Sequence, residues 1–176
     1  MNKSSQTNFI QQPEIRNIQE KKLKDLLVYL HSSSPYYQRI FQQKKIDPAR
    51  ISRLEDLVLI PTTTREELQL FNNEFLCIPR NSVIEYTSTS GTLGEPVTIA
   101  LSEKDLQRLA YNEFKSFSCA GGRQEDVYQL MLTLDRQFMA GMAYYSGIRK
   151  LGAGIIRVGP GVPSLQWEII FRLKPS

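Results

Sequence analysis

Between Val127 and Val158 the chain alternates in a way that leaves few folds open to it. Val127–Leu134 is a largely apolar run of strand length, Gln137–Leu151 repeats apolar residues at helical spacing, and Gly154–Val158 is strand-like again. Arg149 and Lys150 fall in the last turn of the helical stretch, and Gly152 lies just beyond it. Cations complement the carbonyl end of a helix, and glycine tolerates the left-handed backbone that closes one. Strand, helix, strand at these lengths is a βαβ unit, which predicts a parallel strand pair and an α/β fold.

Upstream, Thr87-Ser88-Thr89-Ser90-Gly91-Thr92-Leu93-Gly94-Glu95-Pro96 sets four consecutive hydroxyl residues, a fifth after Gly91, two glycines and a closing proline between strand-like runs at Val83–Tyr86 and Val97–Leu101. Glycines permit tight turns and close ligand approach, and the small side chains leave amides and hydroxyls exposed to bind phosphate oxygens. The order G-x-x-x-x-G-K-[ST] is absent, so this is not a Walker A loop. Gly152-Ala153-Gly154-Ile155-Ile156-Arg157 fails the dinucleotide pattern at its last position and precedes a strand, and Gly159-Pro160-Gly161-Val162-Pro163 carries prolines. Both read as turns.

The first half reads as helical. Residues 1–12 are rich in Asn, Gln and Ser and are expected to be a disordered tail. Ile15, Ile18, Leu23, Leu26, Leu27 and Leu30 space an amphipathic helix over about Ile15–Tyr29. Ser34-Pro35 supplies an N-cap and first-turn proline for a second helix to about Lys45, with Tyr36, Tyr37, Ile40 and Phe41 as its core face. Thr64-Arg65-Glu66-Glu67 and Ser102-Glu103-Lys104-Asp105 are capping boxes, the second opening a helix to about Ser118. A last helix is predicted at Leu165–Arg172. The expected domains are a helical section, 13–82, and a partial α/β section, 83–176, holding the loop at 87–96.

Composition narrows the function. Hydrophobic residues at 41% and charged residues at 23% fit a soluble globular protein, and no apolar run is long enough to span a membrane. With no leader pattern, the expected location is cytoplasmic. The net charge of +4 is most concentrated at Lys21, Lys22 and Lys24, with Lys44 and Lys45 further on; the first three share a helix with Glu20 and Asp25 and read as a solvated face. No nucleic-acid module accompanies them, so neither nucleic acid nor membrane is an expected partner. Cys77 and Cys119 have no metal-ligand spacing and there is one histidine, so no metal site is expected and both thiols read as buried or inert.

Thr89–Pro96 resembles the S-S-G-T-T-G-K-P phosphate loop of AMP-forming adenylating enzymes, in the form used by the phenylacetate–coenzyme A ligase family. The resemblance extends outward in unchanged order from near Leu23 to Ser176. Ser34-Pro35-Tyr36-Tyr37-Gln38-Arg39-Ile40-Phe41 is similar to the family's V-P-F-Y-R-R-L-F. Ile51-Ser52-Arg53-Leu54-Glu55-Asp56-Leu57 with Ile60-Pro61-Thr62-Thr63-Thr64 is similar to its I-x-S-L-E-D-L-x-x-L-P-F-T-T-K. Gly141-Met142-Ala143-Tyr144-Tyr145-Ser146-Gly147-Ile148-Arg149-Lys150-Leu151-Gly152-Ala153 is similar to its G-L-G-L-H-Y-G-A-E-R-L-G-A.

The resemblance implies a two-step reaction. A carboxylate, of an aryl or arylacetic acid, attacks the α-phosphate of ATP, and coenzyme A then displaces AMP to give a thioester. The protein's share is alignment and charge neutralisation, with magnesium (Mg2+) assisting. Thr89, Ser90, Gly91, Thr92, Leu93 and Gly94 match the positions that hold the β- and γ-phosphates; Thr87 and Ser88 precede the motif and shape the turn. No acid–base catalytic residue is assigned.

Two departures stand out. Glu95 occupies the loop's usual lysine position, a change of two charge units beside a polyphosphate; the side chain points away, or magnesium and a basic group elsewhere compensate. Where the family carries Y-G-Y-G-L-F-T-G-G before its Gly-rich helix, this chain reads Thr133-Leu134-Asp135-Arg136-Gln137-Phe138-Met139-Ala140-Gly141. Phe138 and Gly141 match. Asp135 and Arg136 are either a surface pair with Asp135 capping the helix, or part of an acid pocket in which Arg136 faces a polar acid.

Family members are longer, with the adenine site and catalytic lid beyond the position of Ser176. The expectation is therefore an N-terminal fragment, inactive alone, whose partners are ATP, coenzyme A, a small carboxylic acid, the remainder of the ligase chain and, in a homodimer, a second copy. Two alternatives stay open: a non-catalytic nucleotide-sensing or dimerisation module that keeps the fold, and an acyl-protein synthetase.

Overall fold

The structure is a computed structural model, and it describes residues 12–89 and 96–176. The expected tail at 1–12 lies, but for Gln12, outside the described residues. The chain divides into two compact units, Met1–Ile78 and Pro79–Ser176.

In the first unit, α1 (Gln12–Ser33) runs a turn longer at its end than its apolar spacing predicts. Leu23 and Leu27 are buried with Phe41 and Ile51 in one cluster, whereas Ile15, Ile18 and Leu26 stay exposed. Ser34 stops α1 and starts α2 (Pro35–Lys44). Its fully buried hydroxyl accepts the Tyr37 amide at 3.4 Å and donates to the Glu74 carbonyl at 3.1 Å, so neither polar role is wasted in the interior. Lys45 closes α2 in the left-handed region (φ 54°). The aromatic face reads as the sequence suggests: Tyr36 stacks on Phe75 with centroids 4.0 Å apart, and Arg39 lies over Phe71 while binding Glu74 at 2.7 Å. Short 3-10 turns lead to α3 (Arg65–Leu70), whose Thr64–Glu67 capping box forms in both directions, at 3.2 and 2.8 Å.

The second unit opens with β1 (Glu85–Ser88) and β2 (Thr98–Leu101), an antiparallel pair registered from Glu85 opposite Leu101 to Ser88 opposite Thr98. Ser102 then caps α4 (Glu103–Cys119); Asp105 answers by accepting the Ser102 amide at 3.0 Å and its hydroxyl at 2.7 Å. These bonds, the hydroxyl's first, hold the Asp105 carboxyl below its usual range.

β3 (Val127–Leu130), α5 (Met139–Leu151) and β4 (Gly154–Arg157) form the expected βαβ unit, with β3 and β4 parallel from Val127 opposite Gly154 to Leu130 opposite Arg157. Gly152 ends α5 at φ 85°. α5 crosses α4 closely because Gly147 has no side chain: a Cβ there would run into Glu113 Cβ and come within 3.0 Å of the Glu113 backbone. α6 (Pro163–Leu173) closes the unit and begins two residues earlier than predicted, with proline in its first turn.

Candidate functional site

The two strands of the β1–β2 hairpin bring the ends of the hydroxyl-rich segment together. At its neck the Thr89 amide donates to the Val97 carbonyl at 3.0 Å, and the Val97 amide donates to Thr89 Oγ1 at 3.0 Å. Thr89 therefore uses its amide and a lone pair of its hydroxyl to close the segment, leaving its hydroxyl proton for another acceptor. Ser90, Gly91, Thr92, Leu93 and Gly94, together with Glu95, lie outside the described residues.

Just before that neck, Thr87 is buried to 1% exposure while its neighbour Tyr86 is half-exposed, as alternation along a strand requires. The Thr87 hydroxyl donates to the Gln137 carbonyl at 2.6 Å, and the Ser88 amide donates to the same oxygen at 3.1 Å. One carbonyl thus spends both lone pairs on consecutive residues of β1.

Gln137 lies in a junction that differs from its sequence reading. The predicted strand to Leu134 stops at Leu130, and the helix predicted from Gln137 starts at Met139. Between them the Asp135 carbonyl accepts the Phe138 amide at 3.1 Å across Arg136 and Gln137, which have φ of 57° and 58°. Two central residues at positive φ are the mark of a type I′ turn, a geometry that favours Asn and Gly. For L-residues with longer side chains the left-handed region costs roughly 1–2 kcal/mol each. No Gly or Asn announces this turn, so it is invisible in the letters.

Asp135 does not cap α5. Phe138 holds the N-cap position with no side-chain bond, while the Asp135 carboxylate accepts the Thr133 hydroxyl. No ion pair joins Asp135 to Arg136 among the described residues, and both are exposed, as is Phe138. Gly141, in the first turn of α5, sits directly on the Thr133 carbonyl, which a Cβ at that position would strike. Hydrogen bonds therefore join the Asp135–Phe138 turn to Thr133 on one side, where Gly141 also packs, and to Thr87 and Ser88 on the other.

Elsewhere, burial pushes the Cys77 thiol above its usual value, whereas Cys119 is exposed and so is not one of the buried thiols. Among the described residues no group of three or more His, Cys, Asp or Glu could hold a metal ion, and no helix is long and apolar enough to cross a membrane.

No protein-family model matches the chain. It is 28% identical over 168 residues to the phenylacetate–coenzyme A ligase of Thermus thermophilus, covering 93% of this chain and 37% of that protein. The enzymes of the same name from Aromatoleum evansii and Escherichia coli are 28% and 26% identical, over 94% and 93% of this chain. The chain therefore spans well under half the length of the curated relatives it matches. Among solved structures, an open conformation of 2-hydroxyisobutyryl–coenzyme A ligase in complex with its acyl-AMP and coenzyme A superimposes with a TM-score of 0.82 at 18% identity, over 94% of this chain and 40% of that one. The same enzyme in its thioesterification state gives 0.82 at 19% identity. In sequence the chain is similar to phenylacetate–coenzyme A ligases over nearly its whole length, and its fold matches part of the adenylate-forming ligase fold.

Proposed function

We propose that this chain is the N-terminal portion of an AMP-forming acid–coenzyme A ligase. In that reading the complete protein joins a carboxylic acid to AMP at the expense of ATP, then passes the acyl group to coenzyme A. The observation that carries the proposal is alignment with phenylacetate–coenzyme A ligases over about nine-tenths of the chain, hydroxyl-rich loop included. The helical section, 13–82, and the α/β section, 83–176, then belong to one larger adenylation domain in a cytoplasmic enzyme that pairs with a second copy.

The residues divide by role. Thr89, Ser90, Gly91, Thr92, Leu93 and Gly94 hold the β- and γ-phosphates through amides and hydroxyls. Magnesium comes with the nucleotide, bound chiefly by its phosphates, as suits an ion that keeps most of its water and needs few protein ligands. Asp135, Arg136, Phe138 and Gly141 form the wall of the acid pocket: Phe138 offers an apolar ring, Arg136 a cation, and Asp135 and Gly141 the shape of the turn. An exposed ring and an exposed guanidinium two residues apart in the chain suit an aryl or arylacetic acid bearing a polar substituent better than a plain hydrocarbon tail.

The test is ATP–pyrophosphate exchange by the full gene product across a panel of aryl, arylacetic and short hydroxy acids, with thioester formation read on adding coenzyme A. Acid-dependent exchange is expected. Nucleotide binding with no exchange for any acid would replace this reading by that of a nucleotide-binding module. Exchange with acyl transfer to a protein thiol in place of coenzyme A would make it an acyl-protein synthetase.

A further inference from the structure

We infer that Thr87 is a positioning residue for acid selection: its buried hydroxyl, acting through the Gln137 carbonyl, holds the turn that carries Arg136 and Phe138 against the neck of the hydroxyl-rich loop. The inference rests on the acid–coenzyme A ligase reading and adds to it a residue that lies outside the matched loop motif.

Local forces account for the turn only in part: the Phe138 amide closes it on the Asp135 carbonyl at 3.1 Å. Arg136 and Gln137 both occupy the left-handed region without being Gly or Asn, and α5 begins without a side-chain cap. The Thr133–Asp135 contact is confined to the turn's own entry. A conformation disfavoured at two successive residues persists only when its surroundings over-determine it. Here the surroundings are two donors, the Thr87 hydroxyl at 2.6 Å and the Ser88 amide at 3.1 Å, converging on one oxygen in the middle of the turn.

The donors' place in the chain gives the contact its consequence. Thr87 and Ser88 are the last two residues of β1, and Thr89, which follows at once, closes the loop neck with Val97. Three successive residues thus register both the loop and the turn. A shift of the turn carries Arg136 and Phe138 together while leaving the Thr89–Val97 closure in place. Loss of the hydroxyl should therefore disturb the acid and spare the nucleotide.

Thr87→Val keeps the volume and β-branching of the side chain and removes the donor; Thr87→Ser keeps the donor. Both are made in the full gene product. Two measurements are read: amide hydrogen exchange over 133–139, and steady-state pyrophosphate exchange with acid and ATP varied in turn. For Thr87→Val the expected results are exchange in the turn faster by about tenfold, and an acid KM raised on the order of tenfold or more, because small misplacements of a substrate-facing group are costly. The ATP KM stays within about twofold in the same variant, the ranking of acids changes, and Thr87→Ser behaves as wild type in every measurement. A uniform fall in kcat for all acids with KM unchanged, or unaltered exchange over 133–139, would overturn the positioning role while leaving the ligase reading intact. A wild-type protein that exchanges pyrophosphate with no acid overturns both together.

Discussion

The starts of α4 and α5 solve the same problem by opposite means. At α4, Ser102 and Asp105 satisfy each other's backbone within four residues, and nothing outside the helix is needed. At α5 the N-cap residue is Phe138, no side chain caps it, and two residues before it sit in a disfavoured backbone region. What holds the start of α5 in place comes from outside the helix: Thr87 and Ser88 of β1 bond the Gln137 carbonyl across about fifty residues, and Gly141 settles onto Thr133. A locally written start is robust but carries only a helix. A start imposed by tertiary contacts is costlier and can place chosen side chains where ordinary propensity would not. Violations of local rules of this kind gather where a protein does something, and this one stands where the acid pocket is proposed.

The comparison breaks most readily at Gly141. On an exposed helix, glycine to alanine gains up to about 1 kcal/mol. At Gly141 the new methyl meets the carbonyl of Thr133, a backbone atom that cannot swing aside. Gly141→Ala is expected to destabilise by about 1–3 kcal/mol, the range of an overpacked core, and toward its upper end because the neighbour is backbone, as read by urea unfolding. A neutral or stabilising result would mean that the β3–α5 junction moves freely, and the contrast with α4 would lose its basis.

The second effect is smaller and belongs to α4. Ser102→Ala removes the cap and should cost about 1 kcal/mol near neutral pH. Its pH dependence follows from Asp105, whose carboxyl is held below its ordinary range first by the Ser102 hydroxyl. A carboxyl lowered in the folded state contributes stability above its unfolded pKa and loses it as pH falls through the folded one. The stability gap between wild type and Ser102→Ala should therefore narrow from about pH 5 downward, through the ordinary aspartate range. A gap that stayed constant to pH 3 would detach Asp105 from the cap.

These two helix starts also mark what the sequence reveals. Ser34, Thr64 and Ser102 announced their helices because caps are local: donor and acceptor lie three residues apart and the pattern is visible in the letters. The parallel pairing of β3 and β4 was legible for the same reason, through the spacing of apolar residues and the exit at Gly152. Thr87 was not. Read in sequence it is one of four hydroxyls in a row, and only the strand's parity, invisible until β1 is placed, turns it inward. An inward hydroxyl must find a partner, and its partner is a backbone carbonyl fifty residues on that no side-chain pattern identifies. The end of β3 at Leu130 was missed likewise, because the apolar letters through Leu134 continue past the point where pairing with β4 stops.

The smallest effect is also the sharpest test of the contrast, because it touches no side-chain contact. Gln137→Gly retains the carbonyl that Thr87 and Ser88 bond and removes the exposed side chain whose Cβ makes φ 58° costly. Relief in the folded state amounts to roughly 1–2 kcal/mol, and the freer unfolded chain takes back about 0.5–1 kcal/mol. A net gain of about 0.5–1 kcal/mol is left. Glycine at a helix N-terminal approach would ordinarily be neutral or harmful, so the sign alone is informative. Gln137→Ala, which keeps a Cβ, should show no such gain, and the difference between the two variants isolates the backbone contribution. Destabilisation by glycine with alanine neutral would place the turn outside the left-handed region and return α5 to an ordinary start.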